Sequence, residues 1–170
     1  MQVKIIHAAD FHLESPFTGL STEKAEQRRE ELKETFLRVI DLCIKEEVQI
    51  LLLAGDLFEH EKAGKELMHF LNQGFNRIKA KVFIAPGNHD PGLPTSAYWI
   101  YPWSSNVHIF REKFETIELP ELGCRVHGLG YCHFAVKERH LANFRVPDHE
   151  LIDLVLLHGE AKTSPLASEN

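Results

Sequence analysis

Three short apolar runs in the first half of the chain each end in a residue that can hold a cation. "VKIIHAAD" reaches Asp10, "QILLLAGD" reaches Asp56, and "KVFIAPGNHD" reaches Asn88, His89 and Asp90. Runs of this length, rich in apolar and β-branched residues and without a polar face, suit strands covered on both sides, as in a parallel sheet. Between the first two, Leu32, Phe36, Val39, Ile40, Cys43 and Ile44 recur at three- and four-residue spacing, and Ser21 or Thr22 can cap the helix they define. Between the second and third, Leu67, Leu71, Phe75 and Ile78 mark a helix running from about Lys62 to Ile78. The β-α-β-α-β order predicts an α/β fold with a parallel sheet and helices packed on it.

After Asp90 the texture changes. "PGLPTSAYWIYPWSSN" is rich in proline and aromatics, and the shorter pieces "VHIF", "FETIELP", "CRVHGLGY" and "LIDLVLLHG" predict a second, more antiparallel sheet. Residues 1–160 read as one domain, and the polar, patternless stretch 161–170 reads as a frayed tail. Composition agrees with a soluble globular chain, because 44% of the 170 residues are apolar and 26% charged. The amino terminus carries neither a signal-peptide pattern nor a membrane span, so a cytoplasmic location and no membrane partner are expected. Cys43, Cys124 and Cys132 form no C-x-x-C pair and read as small buried apolar residues. A formal charge of −6 argues against nucleic-acid binding by global basicity but leaves room for a local basic groove.

In open α/β sheets ligands collect outside the carboxyl ends of the strands. The first strand end offers Asp10 and His12, whose i, i+2 spacing sends both side chains one way if the chain stays extended. The second offers Asp56 behind Gly55, a glycine that leaves room for close backbone approach. The third offers Asn88, His89 and Asp90, and the late run "LVLLHG" adds His158. Each piece alone is commonplace as a loop end, a helix cap or a packed histidine. Their conjunction, each directly after a buried strand, is not. Oxygen and imidazole donors without thiolates favour manganese, iron or zinc over magnesium or calcium.

"DFH", "GDLF", "PGNHD" and "LLLHG" resemble the signature blocks of the calcineurin-like metallophosphoesterases, and "HAADFHLESPFTGL" and "YPWSSNVHIF" resemble more specifically the SbcD/YhaO-type DNA repair exonucleases. The resemblance runs from Met1 to about Glu160, with Glu14 standing where an aspartate or glycine is expected. It implies a metallophosphoesterase-type αββα sandwich and a two-metal site, usually manganese, with iron or zinc as alternatives. By matching motif positions, Asp56 bridges both ions, Asp10 and His12 bind the first, and Asn88 and His158 bind the second. His89 is then the general acid beside the scissile phosphate, and Asp90 orients its imidazole. Two cations about 3.5–4 Å apart clamp a phosphate oxygen and activate a bridging water, so the implied reaction is phosphodiester hydrolysis. Implied partners are DNA, a coiled-coil ATPase of the SbcC type, and a second copy of the chain.

The family's last motif, a Gly-His-x-His block beyond His158, does not occur in this sequence. The expectation is therefore a domain truncated on the carboxyl-terminal side of its second sheet, with weak metal binding and little activity. The alternatives are a phosphoesterase of small esters or cyclic nucleotides, which shares every metal motif, and a non-catalytic scaffold with an incomplete site. His60, four residues past Asp56, is a candidate substrate contact, although a plain loop histidine is the somewhat better reading. Tyr98, Trp99, Tyr101 and Trp103 read as a packing or association surface in preference to a base-stacking one. Lys24, Arg28, Arg29 and Lys33, interrupted by glutamates, read as a solvated helix face.

Overall fold

The computed structural model describes residues 2–138, 140–142, 144–146 and 150–159, so His149 and the 161–170 tail lie outside the described residues. The chain runs β1 (Ile5–Ala8), α1 (Thr22–Lys45), β2 (Ile50–Leu53), α2 (Lys65–Asn76), β3 (Lys81–Ile84), the single turn α3 (Ala97–Ile100), β4 (Val107–Ile109), β5 (Glu115–Leu119), β6 (Cys124–Gly128) and β7 (Ile152–Leu156). Ser21 caps α1, its hydroxyl accepting from the Lys24 amide. Helix α2 starts later than its apolar spacing implies, because His60–Lys62 is spent in a 3₁₀ turn and Gly64 takes the cap position.

Strands β1, β2, β3 and β4 form one sheet in that order, every pair parallel. The "VHIF" strand therefore belongs to the first sheet and not to the second, as its sequence position suggested. A parallel neighbour needs a crossover, and the proline-rich stretch containing α3 supplies one without a long helix. The second sheet has the order β5-β6-β7 and is mixed, with β5–β6 antiparallel and β6–β7 parallel.

Period-two alternation sorts the first sheet's side chains into two cores. Leu51, Leu53, Val82 and Ile84 face Phe36, Ile40 and Cys43 of α1 and Leu67, Leu71 and Phe75 of α2. Ile50, Leu52, Phe83 and Ala85 face Leu119, Cys124, Val126 and Leu156 of the second sheet, with Phe110 between. The architecture is an α/β sandwich of helices on sheet on sheet. Among the described residues, the far side of the second sheet is covered by irregular chain in place of helices. There Phe144 stacks on Phe114 and packs against His127. Beneath it the buried Arg125 and His127 both donate to Asp153, which holds the Asp153 carboxyl below its usual range. The α1 basic residues behave as surface groups, Arg28 pairing with Glu31 and Lys33 with Glu30 and Glu14. Among the described residues no helix is long and apolar enough to cross a membrane.

Gly128 of β6 packs directly against Phe110, where an added Cβ would fall 2.0 Å from a ring carbon. Gly128→Ala should therefore displace Phe110 from its 5.9 Å stack on Phe83 and cost about 1–3 kcal/mol of stability in urea unfolding. An unchanged midpoint would refute so close a contact.

Candidate metal centre

The loops leaving β1 and β2 stay zipped together beyond the strands. Amides of Asp10, His12 and Leu13 donate to carbonyls of Gly55, Asp56 and Leu57, and the Glu59 amide returns a bond to Leu13. This extension brings Asp10, His12, Asp56 and Glu59 to one rim of the sheet, at the carboxyl ends of its strands. The backbone is not extended there, contrary to the i, i+2 argument. Asp10, His12 and Asp56 have φ of 56°, 46° and 52°, in the left-handed region. Such a conformation costs on the order of 1–3 kcal/mol per residue and persists where surrounding contacts over-determine it, as at functional sites.

Asp90 supplies much of that over-determination. Its carboxylate, fully buried, accepts from the amides of Asp56 (3.0 Å), Leu57 (2.6 Å) and Gly87 (2.7 Å) and from the Tyr98 hydroxyl (2.6 Å). Burial pushes the Asp90 carboxyl up while these donors pull it down, and burial drives the Tyr98 phenol well above its usual range, so the phenol keeps its proton and donates. Asp90 therefore does not orient His89. It fastens the loops after β2 and β3 to each other.

Asp56 sits where those loops meet. One oxygen, Oδ1, accepts from the His89 amide at 2.9 Å. The other, Oδ2, lies 3.7 Å from His12 Nε2 and 3.5 Å from His158 Nε2. A single oxygen thus faces both imidazoles. Two glycines permit this crowding: a Cβ on Gly87 would fall 2.2 Å from Asp56 Oδ1, and one on Gly55 would fall 2.6 Å from the His158 ring.

The donor chemistry fits cations. His158 Nδ1 lies 2.9 Å from the Ala54 carbonyl, which can only accept, so Nδ1 donates there and turns Nε2 toward the rim. Nε2 lies 3.0 Å from Asn88 Oδ1 and 3.5 Å from Asp56 Oδ2. An imidazole nitrogen, an amide oxygen and a carboxylate oxygen thus converge, a donor set of the kind that holds divalent cations. On the other side of Asp56, ligand atoms of Asp10, His12 and Asp56 all lie within 4.8 Å of one another. His12, Glu59 and His89 make a second cluster by the same measure.

Glu59 escaped the sequence reading. Its Oε1 accepts from His12 Nδ1 at 2.9 Å and its Oε2 from His89 Nδ1 at 3.1 Å, taking the orienting place assigned to Asp90. Both rings consequently turn Nε2 away from Glu59, and they meet edge to face at 4.7 Å. The Glu59 bond raises the His89 pKa above its ordinary value. Burial alone would push the Glu59 carboxyl up, but hydrogen bonds from His89 and His12 hold it below its usual range. The only signal for Glu59 was its place inside "GDLFEH", between two residues already singled out.

A cleft of about 410 Å³ opens beside the cluster, lined in part by Asn88, His89, Glu59, His60 and Phe134. His60 thus borders it, its ring 5.6 Å from that of Phe134 and its buried Nδ1 without a protein partner. A larger groove of about 820 Å³ lies between α2 and α3, and its lining includes none of the ligating residues. The aromatic run is structural: Tyr98 is buried, and the Trp99 and Trp103 indoles donate to the carbonyls of Gly92 and Tyr98.

Comparison with known proteins agrees with this geometry. Residues 3–163 match the family described as calcineurin-like phosphoesterase, and the chain belongs to that family. It is 34% identical over 166 residues to an uncharacterized metallophosphoesterase, YhaO, of Bacillus subtilis, covering 91% of this chain and 40% of that protein. Over 91 residues, 52% of this chain, it is 29% identical to the DNA double-strand break repair protein Mre11 of Methanopyrus kandleri and 28% identical to that of Methanococcus maripaludis. Those matches span 19% and 23% of the two archaeal proteins, so the chain covers well under half the length of each relative.

Tyr98→Phe removes one donor from a buried carboxylate and leaves the core volume unchanged. It should cost about 1–3 kcal/mol in chemical denaturation. A stability equal to the parent's would mean that Asp90 does not depend on the phenol.

Proposed function

We propose that the chain carries a two-metal phosphodiesterase site of the DNA repair exonuclease type, acting on DNA. The observation that carries this reading is Asp56 Oδ2, set between His12 Nε2 and His158 Nε2 at 3.7 and 3.5 Å. In the proposed centre Asp10, His12 and Asp56 hold one divalent ion and Asp56, Asn88 and His158 the other. Manganese is preferred, with iron and zinc as alternatives that suit the same donors. When bound, such a pair neutralises phosphate oxygens and lowers the pKa of a coordinated water. Among the described residues, three side chains would thus serve each ion.

The chain's own residues supply the rest. His89 borders the cleft, and with Nδ1 committed to Glu59 its Nε2 is free to hold a proton toward the departing ester oxygen. Glu59 favours the protonated imidazole that this task needs and fixes the His12 ring at the same time. The similarity to two proteins named for DNA double-strand break repair favours DNA over small esters, and on that reading a coiled-coil ATPase and a second copy of the chain are the further partners to seek.

Asp56→Asn should abolish manganese-dependent cleavage of an oligonucleotide and reduce manganese uptake measured by calorimetry. His89→Ala should keep the uptake and slow cleavage by about 10²–10⁴-fold. Unaltered cleavage in either variant would end the proposal, and hydrolysis of p-nitrophenyl phosphate in preference to DNA would transfer it to small esters. Glu59→Ala, which leaves every proposed ligand in place, should lower manganese affinity or turnover by about 10–100-fold. No change in either would reduce Glu59 to a bystander.

A further inference from the structure

We propose that Phe134 is a stacking platform for the nucleobase adjoining the phosphate, making the cleft selective for nucleotides over plain phosphate esters; this rests on the phosphodiesterase reading above. Phe134 is 55% exposed, an uncommon placement for a phenylalanine, and it lies in the segment after β6 and not in the packed aromatic run. That segment is fastened to the catalytic rim. The Tyr131 amide donates to the Pro86 carbonyl at 2.8 Å, and the Tyr131 carbonyl accepts from the Gly92 amide at 2.7 Å. The Tyr131 ring meets His158 edge-on at 5.6 Å. Three residues later Phe134 is delivered to the cleft wall, with its ring edge to face against His60.

The cleft lining joins Asn88, His89 and Glu59 of the metal cluster to the Phe134 and His60 rings, with Pro16, Glu61 and Lys62 completing the wall. Its volume of about 410 Å³ suits a ligand of nucleotide size. An exposed aromatic face recognises any base without regard to sequence, because every base offers a π-face. An edge-to-face histidine behind the ring restrains it, so less side-chain freedom is lost when a base stacks. A small ester without a ring could meet the residues of the metal cluster but would leave the Phe134 face uncovered.

The test compares adenosine 5′-monophosphate, ribose 5-phosphate and inorganic phosphate by calorimetry on the manganese-loaded chain, with Phe134→Ala and Phe134→Trp beside the parent. The nucleotide should bind about ten-fold tighter than the sugar phosphate to the parent and to Phe134→Trp. In Phe134→Ala that difference should vanish while phosphate affinity stays the same. Equal binding of nucleotide and sugar phosphate by the parent overturns the inference and leaves the phosphodiesterase reading intact. So does a base preference that survives in Phe134→Ala. Failure of all three ligands to bind defeats the phosphodiesterase reading, and the platform falls with it.

Discussion

The buried carboxylate of Asp90 is the constraint on which the site depends. Three backbone amides and a phenol converge on it from the loops after β2 and β3 and from α3. A buried anion is costly unless its lone pairs are satisfied, and breaking such a network is expensive because the charge is left stranded. These bonds oblige Asp56 to keep its left-handed backbone and Gly87 to press against it. The strained conformation of Asp56 is held from behind by a residue that touches neither imidazole facing it.

That arrangement explains why the centre lies where it does. A parallel sheet releases all its connections at one edge, and the four strands of the first sheet are parallel in every pair. The loops after β1 and β2 continue the ladder beyond the strands, and the loop after β3 is tied to them through Asp90 and the His60 amide, which donates to the His89 carbonyl. His158 reaches the same point from the other sheet, so four chain segments meet at the Asp56 carboxylate. It does so because β7 lies parallel to β6, and its end is held by the bond to Ala54.

The fold and the residues gathered at the strand ends were legible in the sequence because apolar runs and the residues that end them are local patterns. Helices α1 and α2 and the first three strands follow from such patterns. β4 was misplaced because a strand of three residues, Val107–Ile109, does not say which sheet it joins; in the structure the Asn106 side chain just before it donates to the carbonyls of Phe75, Ile78 and Ala80, tying the turn into the strand to the connection between α2 and β3. The Asp90 assignment failed for a related reason. Adjacency to His89 suggested a contact, yet consecutive residues in a tight turn point apart, and the orienting carboxylate comes from Glu59, thirty residues away along the chain. Tyr98 could not be identified as its partner from sequence, since a phenol within an aromatic run reads as packing.

Electrostatics sharpen the case for cations at this rim. Asp10, Asp56 and Glu59 crowd around the cleft, Asp90 lies directly beneath, and the whole chain is formally −6. His12 and His158 each give one ring nitrogen to an acceptor, Glu59 and the Ala54 carbonyl, and turn Nε2 toward Asp56. A phosphodiester, itself anionic, would be repelled from such a surface. On the proposed reading, divalent ions held between these groups would reverse the local sign, so the carboxylates would concentrate cations and, through them, an anionic phosphate.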